Sequence, residues 1–234
     1  WKHEYKGKPG FHLPTANPNL VEFYDNDFNP PKNLPILLPL CGKTVDLPWL
    51  IGAGHQCVAG VEGVPQCIDE LRDELLNDLR KTKSHGVGDE CIWTTAAEGQ
   101  PWFHSHSSSD STGENDACIS IVCADFFDVS PSTFGAQNPC FGGVFGRGAI
   151  AAIPPRSRHQ HVGAAGSLLA PGGEILMVTV DDPSRDTGPP FSITPSVVEE
   201  LFSTRDYTIH ILDEHDGPWG GNSKEYVFVL KKDL

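Results

Sequence analysis

The chain has no uninterrupted apolar run of 18 residues and no basic-then-apolar leader, so neither a membrane span nor a secretory signal is expected in its 234 residues. It starts at Trp1, which leaves open a targeting segment further upstream. Positive charge is also scarce. Lys and Arg total 17 against 31 Asp and Glu, a formal charge of −14, and no basic cluster interrupts the acidic background. Such a field repels polyanions and anionic bilayers, which argues against nucleic-acid and membrane binding and for a small-molecule partner. The Cys-x-x-Cys spacing of redox and zinc sites is missing. The cysteines (41, 57, 67, 91, 118, 123 and 140) are odd in number, and several lie in apolar strand patterns such as 117–123. They read as free, buried thiols in a reducing compartment, the cytoplasm. His104-x-His106 and His159-x-His161 lack further ligand-type neighbours, and on a helix the members of such a pair point about 200° apart, so no metal is expected. No Pro/Gly-rich linker divides the chain into halves that could fold alone. Residues 1–234 are therefore expected to form one monomeric domain, with an N-terminal lid over about 1–30.

What the chain does have is an alternation of short apolar runs and amphipathic segments. Strands are predicted near 34–39, 56–62, 91–95, 117–124, 141–146, 173–180, 207–213 and 225–231. Helices are predicted near 17–25, 44–53, 64–82, 156–170 and 194–203, the last opened by Thr194-Pro195 as cap and first turn. Strands alternating with helices predict an α/β fold, a three-layer Rossmann-like sheet that is mostly parallel and covered on both faces. The last two strands have no helix between them, so one edge should be antiparallel. Residues 104–116, rich in Ser, Asp and Gly and without apolar periodicity, read as a surface loop.

The segment from Ile36 to Glu62 carries the most chemistry. It runs strand, Gly-containing turn, helix, strand, and ends on a carboxylate 20 positions after Gly42, where a ribose diol can donate hydrogen bonds to it. The three-glycine spacing that lets a backbone close around a pyrophosphate is absent; Leu40-Cys41-Gly42 is followed by Lys43. A diol reader without a diphosphate cradle fits a nucleoside cofactor such as S-adenosylmethionine better than a dinucleotide. Ligands of parallel sheets bind beyond the carboxyl ends of the strands, where the backbone of Leu40, Cys41 and Gly42 can hold the amino-acid part of such a cofactor. Glu62 and Gly63 leave the second strand, with a solvated charge as the plain alternative for Glu62. Asp125 and Phe126 leave the next one and can offer an acid and a stacking ring to adenine. A helix N-cap is the plain alternative for Asp125.

Several motifs occur in order: Phe11-His12, PLCGKTVDLPWL (39–50), GHQCVAGVE (54–62), CADFFDV (123–129), GRGAIAAIPP (146–155), LLAPGG (168–173), GPPF (188–191) and Trp219-Gly220. Together they resemble the thiopurine S-methyltransferase family over nearly the whole chain. The resemblance implies a seven-stranded class I methyltransferase sheet, S-adenosylmethionine as methyl donor and S-adenosylhomocysteine as product. It places Arg147 at the active site, in contact with cofactor and acceptor, and matches Trp1 and Tyr5 to two aromatic positions that cover the cofactor. Phe11 and His12 continue that lid, and Pro190 and Phe191 form a stiff apolar rim for the acceptor, or else a plain turn. The chain departs from the family's pattern at Gly142 and Gly146, where acidic residues are usual. Their loss is expected to leave Arg147 less neutralised.

Ionisation costs narrow the acceptor. Apart from the weak candidate His12, no general base is evident. Without one, a thiol of pKa near 8.5 costs about 2 kcal/mol to ionise at pH 7, and a water-like hydroxyl about 12 kcal/mol. A small thiol methylated from S-adenosylmethionine is the expected reaction. Halide or inorganic selenium and tellurium species are the alternative acceptors, and a non-catalytic S-adenosylmethionine-binding protein is the alternative from another class.

Overall fold

Ile36–Pro39 (β1) and Cys57–Glu62 (β2) are short, nearly continuous apolar runs, and their central residues are buried on both faces. That is the pattern of strands inside a parallel sheet. The computed structural model describes residues 12–82, 118–184, 187–203, 206–218 and 220–234. Trp1, Tyr5, Phe11, the strand expected at 91–95, the loop at 104–116 with its two histidines, and Trp219 lie outside them.

The remaining strands are Cys118–Cys123 (β3), Phe141–Arg147 (β4), Leu169–Asp181 (β5), Tyr207–Asp216 (β6) and Lys224–Lys232 (β7). They form one seven-stranded sheet in the order β3-β2-β1-β4-β5-β7-β6. The first five strands pair in parallel, and β7 runs antiparallel to both β5 and β6. The expected antiparallel edge is thus a hairpin whose second strand is slotted inside its first. β6, left at the rim, has one solvated face and no fully buried residue.

Side-chain alternation sorts the core into two layers. Ile36, Leu38, Val58, Ile119, Ile121 and Phe145 face Pro18–Phe23 (α1), Asp46–Gly52 (α2) and Pro65–Thr82 (α3) through Leu20, Leu47, Leu50, Ile68 and Leu71. Leu37, Ala59, Val61, Val144, Ile175 and Phe228 face the other way, onto Ala149–Ala152 (α4), Arg158–Leu168 (α5) and Pro195–Phe202 (α6). α1 and α6 start as their sequences dictate, Asn17 and Thr194 accepting from backbone N–H groups ahead of a proline. α5 stops at Leu168, earlier than periodicity suggested, because Leu169 already pairs with Phe141 as the first residue of β5. α4 has four residues, too few to show a period. The six described cysteines form no disulfide with one another; Cys67 is buried and Cys123 is exposed, so burial is less general than expected.

Candidate active site

At the carboxyl end of β1 the chain turns sharply, with Leu40 at φ +48° and Gly42 at φ +54°. The second suits glycine; the first costs a branched side chain about 1–2 kcal/mol. The turn is nevertheless held from below. Cys41 N–H donates to Val61 O (3.0 Å), and Gly42 N–H donates to Glu62 Oε2 (3.0 Å). The other Glu62 oxygen, Oε1, accepts from Val64 N–H at 2.9 Å. Both carboxylate oxygens are therefore aimed by backbone donors while lone pairs stay available, so the strand-end acid is a positioned acceptor rather than a solvated charge. The Cys41 thiol turns inward against Gly60, where a Cβ would stand 2.6 Å from Sγ. Burial, with Glu62 and Cys67 nearby, pushes that thiol well above its ordinary pKa, so it packs as a small apolar group.

Above the turn lies a cleft of about 80 Å³ lined by His12, Leu40, Cys41, Gly42, Asp46 and Arg147, among others. His12 sits over Gly42, and burial followed by the charge of Lys43 lowers its pKa, which keeps the imidazole neutral at neutral pH. Lys43 itself reaches away to Glu70 (2.9 Å) and Glu74 (2.8 Å) of α3. Asp46, in the first turn of α2, is 5% exposed. Its Oδ1 accepts from Asn17 N–H (2.7 Å) and its Oδ2 from the Thr44 hydroxyl (2.6 Å). Burial raises its pKa, and the nearby Arg147 charge partly offsets this. Spacing did not single out Asp46, because in sequence it reads as an ordinary acid at a helix start.

The chain matches the family model described as thiopurine S-methyltransferase over residues 1–218. The chain belongs to the thiopurine S-methyltransferase family. Relatives of that name include a protein from Methylococcus capsulatus, 29% identical over 92% of this chain and 85% of its own, and one from Aliivibrio fischeri, 32% identical over 88% and 83%. Among solved structures, a SAM-dependent methyltransferase from Methanosarcina mazei superposes with TM-score 0.58 at 12% identity, covering 94% of this chain and 99% of its own. The 1,6-didemethyltoxoflavin-N1-methyltransferase of Burkholderia thailandensis, solved with S-adenosylhomocysteine, gives TM-score 0.52 at 14% identity over 86% and 72%. These likenesses support the class I fold, and family membership makes the chain an S-adenosylmethionine-dependent methyltransferase.

Within this thiopurine S-methyltransferase scaffold the departures at Gly142 and Gly146 have separate reasons. A Cβ at Gly142 would meet the Leu34 Cβ at 2.8 Å, so no acid fits there without a shift. Gly146 has open space beside it but faces the α4–α5 layer, next to His161, whereas Arg147 faces the cleft. Arg147 shares the cleft with Asp46 of α2, whose carboxylate feels its positive charge.

One expectation is corrected. Phe126 is 4% exposed and tilts against His161 with ring centroids 4.8 Å apart, so its ring belongs to the core and offers adenine no stacking face. Asp125 is exposed and its Oδ1 accepts from Phe127 N–H at 3.0 Å, the N-cap arrangement. Gly63 is exposed directly after Glu62. Pro190 and Phe191 lie on the α4–α5 side, outside the cleft's lining: Phe191 N–H donates to Ala151 O (2.7 Å), and the buried Arg158 guanidinium stands 5.6 Å from its ring. Among the described residues no His, Cys, Asp and Glu cluster has the makings of a metal site, and no helix is long and apolar enough to cross a membrane.

Proposed function

We propose that the chain transfers the methyl group of S-adenosylmethionine to a small thiol. The observation that carries this reading is Glu62, fastened through Gly42 to the β1 turn with both oxygens oriented at the sheet's carboxyl end. An oriented acceptor pair beside a tight turn without a diphosphate loop fits a ribose diol joined to an amino-acid tail. When bound, the cofactor supplies an electrophilic methyl group on a sulfonium.

The chain's part is alignment and charge. Glu62 accepts from the ribose, and the backbone of Leu40, Cys41 and Gly42 holds the amino-acid end. Asp125 and Gly63 border the adenosine side, and Trp1, Tyr5 and Phe11 close the lid. Arg147 attracts and orients the acceptor as an anion. Pro190 and Phe191 would form an outer rim for the acceptor beyond the cleft, Phe191 being held by Ala151 of α4 and by Arg158 of α5. In-line displacement needs two reactants held in register in a dry site, which this division of labour provides. His12, kept neutral and partly covered, is the only described imidazole lining the cleft. A thiol, ionising at about 2 kcal/mol, needs no base.

The test is a product assay with methyl-labelled S-adenosylmethionine against aryl and alkyl thiols, halides and selenite. Labelled thioether from thiols in preference to the other acceptors is expected. Turnover of halide or selenite alone would replace the thiol by those nucleophiles, and binding without turnover of any would make this a non-catalytic member.

A further inference from the structure

Asp46 is the sole acidic residue among the described residues lining the cleft, and it is nearly buried. Its hydrogen-bond donors, the Asn17 N–H and the Thr44 hydroxyl, are both neutral. A carboxylate offers about four lone-pair positions, so it can accept from one more donor on the cleft side. Glu62, which leaves β2 at this end of the sheet, is engaged by Gly42 and Val64. Arg147 brings a positive charge into the same space. An acid and a guanidinium lining one cleft match the two charges of a zwitterion.

Resting on the reading of S-adenosylmethionine as cofactor, we infer that Asp46 receives the α-ammonium group of the cofactor's amino-acid end, its carboxylate falling to the turn and Arg147. The incoming ammonium adds a charged hydrogen-bond donor on the cleft side of a carboxylate that the Asn17 and Thr44 donors hold in place beforehand. Asp46 thus links the α1 N-cap, the α2 start and the cofactor. A purely structural Asp46 would do only the first two.

Calorimetry separates the two roles. Wild type and Asp46→Asn are titrated with S-adenosylhomocysteine and with its deamino analogue, in which hydrogen replaces the amino group. The variant should bind S-adenosylhomocysteine about ten- to a hundredfold more weakly, as for a lost charged hydrogen bond, while both proteins bind the deamino analogue alike. Equal weakening of both ligands would reduce Asp46 to a tie between α1 and α2 and overturn the inference. Should the variant not fold, wild type alone decides: a ten- to a hundredfold preference for S-adenosylhomocysteine over the deamino analogue supports the ammonium contact, and no preference removes it. Failure of wild type to bind either ligand would overturn the cofactor reading itself.

Discussion

Glu62 accepts a backbone N–H on each oxygen, so its amide is not a mild replacement. Glu62→Gln would turn an NH₂ toward either Gly42 or Val64, losing one bond and setting donor against donor. Glu62→Ala should raise the apparent KM for S-adenosylmethionine ten- to a hundredfold at similar kcat, a loss of roughly 1.5–3 kcal/mol, and Glu62→Gln should fall in the same range. Steady-state kinetics with the cofactor varied checks both; an unchanged KM in a folded variant would return Glu62 to the solvated surface. The role proposed for Arg147 lies in the transition state instead. Arg147→Met should lower turnover with an anionic thiolate by about ten- to a thousandfold and affect a neutral acceptor less. In wild type the rate should follow the acceptor's own ionisation, shifting with thiol pKa. An inflection common to all acceptors at or below pH 6.5 would point to His12, whose pKa is lowered, and end the baseless mechanism.

At the scale of elements, the Leu40–Gly42 turn depends on how closely β1 and β2 approach. A Cβ at Gly60 would lie 2.6 Å from Cys41 Sγ and 2.9 Å from Ile121 Cδ1, both inside the packed layer. Gly60→Ala should destabilise by about 1–3 kcal/mol and loosen the Leu40–Gly42 turn, weakening S-adenosylhomocysteine along with the fold. In β4 the neighbouring glycines should behave differently. Gly142→Ala meets Leu34 at 2.8 Å and should be destabilising, whereas Gly146→Ala meets nothing within 4 Å and should be neutral or stabilise by up to about 1 kcal/mol. Urea unfolding of the three variants tests the ordering, and a Gly146→Ala as damaging as Gly142→Ala would contradict it.

For the whole molecule, the α5 layer stores a pH dependence. His161 is buried between Phe126 and Phe127 with its Nδ1 unpartnered, and burial lowers its pKa to about 4. The unfolded chain binds that proton near pH 6.5, so stability is complete above this value and falls as pH drops toward 4. Between pH 7.5 and 5 the loss from His161 should be about 2 kcal/mol, with His55 acting in the same direction. His161→Phe should flatten that part of the profile in urea titrations; an unchanged slope would mean His161 is protonated without penalty in the fold. The order of strands and helices was legible in the chain itself because apolar periodicity, caps and turn residues act over a few neighbours, and the β1–turn–α2–β2 unit with Glu62 was legible for the same reason. The inward turn of Phe126, the placement of Phe191 against Arg158 and the entry of Asp46 into the cleft could not be read that way. Each depends on which face of an element meets another element distant in sequence, and that choice is made only when the two layers pack against the sheet.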